Sequence, residues 1–452
     1  MFEFSFFTFV VLVWLTVKRE YRRSNGITLI SVFSIGNMIY FGLTPALWFW
    51  ARDSAVRFDN YVSDAGLTVD ETGLARLLIA AALFQFIGLC VSLNASRKKD
   101  PAVTEFADKR FIGIAIRMGL VLIAVGLVGV VLMGVKYNGH PWGLYEIAYV
   151  ERAPLARDNP LGAFLLLMLM FGATQLIVVF VLSGRIFYAV TLLFALTIHG
   201  LGMKSKFPIF WVLIVFLGAA IGRRKNLVRI GVPFIVSVLV LGAASVLRGA
   251  QNLADLPDYL STSGDAVLIA LASPWENDIP GPVSIAYYVI NSNVDFTIQP
   301  ILEIPLLLVP RFVVDRGQVL SDTWQEKMMG YDYEPGLGLG WSPICDGFLL
   351  GGYVGVALGA LAFVGIARGI DKLAAKPGPS REFFVMVMYS STPFFVYGVR
   401  ESLGGLIKQL LVMTLLVWLP TYYFAQRKRR MKVGIVSALP SPPARLDRED
   451  IP

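Results

Sequence analysis

Residues 160–222 read PLGAFLLLMLMFGATQLIVVFVLSGRIFYAVTLLFALTIHGLGMKSKFPIFWVLIVFLGAAIG, without a single Asp or Glu. Three apolar runs, 161–182, 186–203 and 207–222, are separated only by short turns around Arg185 and around Lys204 and Lys206. A helix needs ~20 mostly apolar residues to cross a bilayer. Three such runs in succession predict a chain that crosses one repeatedly. Eight more follow the same pattern, at about 2–17, 27–50, 74–94, 111–134, 230–247, 346–367, 383–399 and 404–425. Each is bounded by charges, by Gly/Pro punctuation or by both. The reading is an all-α polytopic integral membrane protein with about 11 transmembrane helices (10–12). The run 2–17 has Glu3 in place of a basic leader and is followed at once by KREYRR, so it reads as a retained span and not as a cleaved signal.

Composition agrees. Of 452 residues, 56% are hydrophobic and 16% charged, against ~45–50% and ~25% in soluble domains. Such a chain lacks the polar surface that two or three soluble domains would need. With 31 Phe, 17 Tyr and 9 Trp it is also too rich in rings to stay disordered. The net charge of +8 could suggest nucleic acid, but its placement argues otherwise. Connections 18–26, 95–110, 183–186, 222–230, 367–382 and the segment from 426 hold 25 of the 40 Lys and Arg. The alternate connections, 51–73, 135–160, 203–206, 248–345 and 399–408, hold 13 and are longer. By the positive-inside rule the first set is cytoplasmic. The N-terminus is then external and the C-terminus cytoplasmic. One transmembrane domain, 1–425, precedes a basic, disordered cytoplasmic tail, 426–452. Cys90 and Cys345 lie too far apart in sequence to form a disulfide framework.

The largest external piece is the loop 249–345. Its apolar run 301–309 is too short to span and carries Glu303 and Pro305. It reads either as an interfacial helix tethering the loop or as a wall along the path of a lipid-linked substrate. Further on, Gly336, Gly338 and Gly340 alternate with Leu337 and Leu339 ahead of Trp341 and Pro343. This stretch reads as a turn or lid, or as a close backbone approach to a ligand.

Isolated cations stand out on the external side. They are Arg152 and Arg157, Lys204 and Lys206, Arg248, Arg311 and Arg316, and Arg400. Each alone could snorkel or pair with a nearby acid. Together they come from four connections that a helical bundle can bring to one place, and guanidinium groups match diphosphate geometry. Nearby carboxylates Asp332, Glu334 and Asp346 offer acid–base chemistry. Asp346, at the mouth of a span, reads equally as a general base and as a helix-capping residue. His199 reads as a core residue, and His140 in NGHPWG as a weak catalytic signal. No HExxH, CxxC or DxD set appears in the external loops, so neither a metal nor another cofactor is expected. The short cytoplasmic connections carry no Walker motif, which argues against an ATP-driven pump.

Four stretches resemble one family. GMKSKFP (202–208), LVPRFVVDRGQ (308–318), GLGWSPICDGFLLGGYVGV (338–356) and VRESLGGLIKQLL (399–411) are similar to segments of bacterial O-antigen polymerases of the Wzy type. With the span layout the resemblance covers roughly 110–425. The family usually has Arg where this chain has Lys204 and Lys206, so a point charge replaces a bidentate fork there. The resemblance implies a GT-C-like glycosyltransferase bundle in the bacterial cytoplasmic (inner) membrane, with one large external loop containing short interfacial helices. It implies a growing glycan on a polyprenyl diphosphate lipid as donor and a lipid-linked repeat unit as acceptor. A chain-length regulator and a flippase are the implied partners; nucleic acid is not. Arg248, Arg311, Arg316 and Arg400 would bind diphosphate, with Arg152, Lys204 and Lys206 as further candidates. Asp346 or Glu334 would take the acceptor's proton, and no metal would be needed. Two rivals are an O-antigen ligase-type transferase and a transporter or flippase of lipid-linked oligosaccharide. An essential histidine in the long loop would favour the ligase, and 249–345 contains none. A transporter would carry ionisable groups deep in its spans, where the sequence places only Arg76, Arg117 and His199.

Overall fold

The computed structural model describes residues 1–24, 27–50, 56–94, 106–146, 158–203, 205–222, 280–292, 294–309, 320–329, 340–378 and 380–427. Among these, every regular element is a helix. In chain order they are α1 (Phe2–Ser24), α2 (Leu29–Asn37), α3 (Leu43–Trp50), α4 (Val56–Asp64), α5 (Glu71–Leu93), α6 (Lys109–Asn138), α7 (Pro160–Leu182), α8 (Ile186–Gly202), α9 (Lys206–Gly222), α10 (Pro280–Asn291), α11 (Gln299–Leu308), α12 (Leu320–Met329), α13 (Pro343–Ala375), α14 (Arg381–Tyr397) and α15 (Leu403–Met413). A π-helical turn, Met38–Gly42, joins α2 to α3, and another, Thr414–Trp418, carries α15 on toward Arg427.

Ten of the eleven apolar runs are helices, and the eleventh, 230–247, lies outside the described residues. Among the described residues, six stretches are long and apolar enough to cross a membrane: Leu29–Trp50, Glu71–Leu93, Lys109–Asn138, Pro160–Leu182, Pro343–Ala375 and Leu403–Arg427. Their outward faces are apolar too. On α6, Leu120, Val121, Leu127, Val128 and Leu132 are exposed. A helix apolar on every side suits lipid on one face and protein on the other. On α1, Phe2, Phe6, Phe9 and Val13 form the inward stripe at helical spacing, with Phe4, Phe7, Val11 and Trp14 opposite.

Polar contacts cluster at one end of the bundle, the end from which 428–452 continue, here the tail end. Glu20 is fully buried there, pairs with Arg23 at 2.5 Å and accepts a hydrogen bond from Ser92 Oγ. Asp371 of α13 accepts from Leu29 N at 3.0 Å, at the start of α2. These contacts tie α1, α2, α5 and α13 in register. The opposite end, here the loop end, carries α4, α10 and α12. There Tyr287 of α10 donates to Thr68 O at 3.0 Å, just ahead of α5.

The decisive departure from the sequence reading is in α13. At 33 residues a straight helix would run ~50 Å, well beyond a bilayer core. It does not run straight. Gly351 and Gly352 leave helical geometry, and Gly352 has φ +58. The chain reverses at this pair, so Gly347 lies against Gly355: a Cβ on Gly355 would sit 2.0 Å from Gly347 O. Pro343 O lies close to Gly359 in the same way. Residues 343–350 therefore climb toward the loop end, and 353–375 descend from it. The sequence reading of one continuous span at 346–367 is corrected: two antiparallel arms meet at a glycine corner, and the second, 353–375, is the one of spanning length.

A second dip comes from α11. Ahead of it, Thr297 N donates to Leu349 O at 2.8 Å, near the corner. Its far end packs on Gly404, at the head of α15, through Ile304 and Leu307. The helix thus points down into the bundle instead of lying flat across its end. Glu303 faces inward and accepts from Leu320 N at 2.7 Å, while Ile301, Leu302 and Leu306 face outward.

Candidate functional site

Depth follows from these pairings. Tyr353 Oη bonds Arg76 O near the start of α5, and Val364 lies beside Gly88 further down the same helix. The descending arm of α13 thus runs parallel to α5. The turn after α14 meets that arm far below its top, with Gly398 packed on Phe363. At 1.5 Å per residue the stretch 398–402 lies ~10–15 Å below Tyr353. On the other side Val399 packs on Gly36, about one and a half to two turns above the start of α2. The turn between α14 and α15 is therefore sunk toward mid-depth of the bundle, and so is the foot of the climbing arm.

These two sunken pieces are stitched together. Trp341 N donates to Arg400 O at 2.9 Å. Trp341 Nε1 donates to Asp346 Oδ1 at 2.6 Å, and Leu403 N donates to Asp346 Oδ2 at 2.7 Å. Ser342 caps α13 through Ile344 N, and Ser402 caps α15 through Gly405 N. Gly340, at φ +94, packs its Cα against Pro282 of α10 and the backbone and Nε of Arg400, and its carbonyl accepts from Gln325 of α12. Asp346 is 6% exposed, with both oxygens engaged. Of its two sequence readings the geometry displays a clasp, which orients the Trp341 ring and the head of α15.

Arg400 lies half-buried beside Asp346's partners, with its guanidinium 6.0 Å from the centre of the Tyr397 ring. Tyr397 in turn meets Phe210 edge-on at 5.4 Å and stacks on Trp211 at 5.7 Å. Lys206 opens α9 one turn before Phe210. The 399–408 turn and the first turns of α9 therefore lie side by side. Arg152, Lys204, Arg248, Arg311, Arg316 and Glu334 lie outside the described residues, as do Arg157 and Asp332. His199 accepts or donates at Tyr145 Oη, 2.9 Å away, as a partnered residue in the outer half of α8.

Glu401 was present in VRESLGG but not singled out in the sequence. It follows Arg400 in extended backbone, is partly exposed, and has no hydrogen-bond or ion-pair partner among the described residues. Burial pushes its carboxyl up, and the charges of Arg400 and Lys408 pull it back. What hid it is topology. In sequence 399–408 looks like a surface connection, where a lone Glu means nothing, and only the pairing with α2 and α13 puts it deep.

The fold and the site together define a multi-pass helical membrane protein with a charged, aromatic cluster held below the rim of its bundle. In a comparison with known families, residues 266–430, somewhat over a third of the chain, match the model of the family O-antigen polysaccharide polymerase Wzy. The match runs from ahead of α10 to beyond α15, and so contains Trp341, Asp346, Arg400 and Glu401. It leaves out the 202–208 turn. No curated protein and no solved structure matches the chain.

Proposed function

We propose that this protein polymerises lipid-linked oligosaccharide repeat units on the external face of the bacterial cytoplasmic membrane. The loop end of the bundle is then external, and both the N-terminus and the long loop face outward, with the C-terminus inside. Eleven crossings in a GT-C-like arrangement make one catalytic domain over 1–425, followed by the cytoplasmic tail 426–452. The growing glycan leaves its polyprenyl diphosphate and moves to a sugar hydroxyl of the incoming unit. Arg400 binds the diphosphate, with Arg248, Arg311, Arg316, Arg152, Lys204 and Lys206 supplying further positive charge. Cations that meet the charge growing on the departing diphosphate make a metal ion unnecessary. A chain-length regulator and a flippase are its working partners. A carboxylate accepts the hydroxyl proton; Glu334 and Asp346 are the sequence candidates, and Asp346's bonds assign it the holding role as well.

One observation carries this reading. Within the very stretch that matches the polymerase family model, the turn carrying Arg400 and Glu401 is hydrogen-bonded to Trp341 and Asp346 below the bundle rim. There a lipid headgroup can reach them while its tail stays in the bilayer. Ionisable groups this deep suit a transporter of lipid-linked oligosaccharide as well, and they remove the sequence argument against one. The test is purified protein in detergent or vesicles, mixed with lipid-linked repeat units and no nucleotide. A ladder of longer glycans is the expected result. Movement of the units across vesicles without new bonds would show a transporter instead.

A further inference from the structure

Glycosyl transfer to a hydroxyl needs a group that takes the proton, and the cluster holds a carboxylate better placed for it than either sequence candidate. We infer that Glu401 is that proton acceptor, an assignment that rests on the polymerase reading above. Three observations carry it. First, Asp346 has both oxygens committed, to Trp341 Nε1 and to Leu403 N. A proton accepted there would break one of the bonds that hold the site's own backbone. Second, Glu401 is two residues away from Leu403, in the same sunken turn, with its carboxylate unpartnered among the described residues and one side open. Its Oε2 lies 3.0 Å from where a Cβ on Gly405 would sit, so the carboxylate lies against the first turn of α15. Third, Arg400 precedes it directly in a backbone that turns extended at Glu401 (φ −122, ψ 157). Arg400 itself ends a short 3-10 turn, so the two residues stand side by side where the chain changes from helical to extended backbone. One turn can thus serve both the departing diphosphate and the attacking hydroxyl.

The step balances. The acceptor oxygen forms a bond to the anomeric carbon as the bond from that carbon to the diphosphate oxygen breaks. The electron pair leaves with the diphosphate, and the hydroxyl proton moves to Glu401, then to water. The charged groups around Glu401 are few. Arg400 shares its turn, and Lys408 stands on α15. Glu303 of α11 is held by Leu320 N, and Asp346 of α13 is held as above. Tyr397 closes α14. Burial raises the Glu401 carboxyl, and a base with a pKa nearer the working pH is the more effective one.

The experiment compares wild type, E401Q, E401D and D346N as full-length purified protein. Polymer is made from lipid-linked repeat units extracted from host cells, across a range of pH, with folding checked by thermal unfolding. Wild type is expected to lose rate on the acid side as the carboxylate protonates. E401Q should fall ~10²–10⁴-fold in kcat with KM little changed, and its residual rate should lack the acid limb. E401D should be slower yet keep the limb, which makes the assignment testable even where E401Q does not fold. D346N should keep the limb at whatever rate remains. A folded E401Q with more than a tenth of the wild-type rate, or with the limb intact, overturns the assignment and leaves the polymerase reading standing. So does a folded E401D that has lost the limb. A wild type that makes no polymer overturns both.

Discussion

At the scale of single residues, Asp346 and Arg400 make opposite predictions although they lie in one cluster. Asp346 accepts two short, charge-assisted bonds in a buried place. Bonds of this kind contribute ~1.5–3 kcal/mol each. Asp346→Asn would set an amide N–H₂ against either the indole N–H or Leu403 N, both donors. It should lower the unfolding temperature in detergent by several degrees before any question of rate arises. Arg400→Ala should leave the unfolding temperature close to wild type and lower polymer formation ~10²–10³-fold, the usual loss of one charge-stabilising donor. Arg400→Lys should restore only part of it, since a point charge replaces a fork. Equal polymer length distributions from Arg400→Ala and wild type, at matched expression, would remove Arg400 from the site. Both residues were legible in the sequence as charges out of place. Glu401 was not, because nothing in VRESLGG says that the turn is sunken.

At the scale of elements, the informative piece is the reversal in α13. Gly347 and Gly355 touch across it, backbone against backbone. Gly355→Val puts a branched side chain into Gly347 O, so the climbing arm must move away and carry Ser342 and Asp346 with it. Polymer formation should drop at least tenfold while the protein still inserts and purifies, and Gly365→Val, on the same descending arm with open space around it, should change little. Helix positions themselves were largely readable: apolar runs of the right length became helices at ten places. The corner was not readable, because GG inside a long apolar run is also a common helix-packing feature. Hydropathy cannot separate a span from a hairpin of the same length. For α11 the sequence did not tell how the short apolar run lies, and its packing on Gly404 sets it against the head of α15.

At the scale of the whole molecule, the basic charge that first suggested nucleic acid marks one end of the bundle. Part of that end is more than topology: Glu20, Arg23, Ser92 and Leu29–Asp371 lock four helices together. Removing one partner of a buried ion pair typically costs ~3–5 kcal/mol. Glu20→Leu should therefore lower the unfolding temperature and the yield of folded protein, and a double change with Arg23→Leu should recover part of it. Recovery is read by size-exclusion profile and thermal unfolding in one detergent. No comparable loss is expected in the polymer made per folded molecule, since none of the knot's residues belongs to the cluster.

The same knot sets a timetable for synthesis. Leu29 and Asp371 are 342 residues apart. At ~5–20 residues per second the ribosome needs ~20–70 s to make the second after the first. During that interval the first helices already sit in the bilayer with a buried charge pair, and Leu29 N still lacks the carboxylate that meets it in the finished fold. They are half of a lock whose key has not yet been translated. A nascent chain stopped short of 371 should stay open to proteolysis at its N-terminal connections, and one stopped after α13 should not.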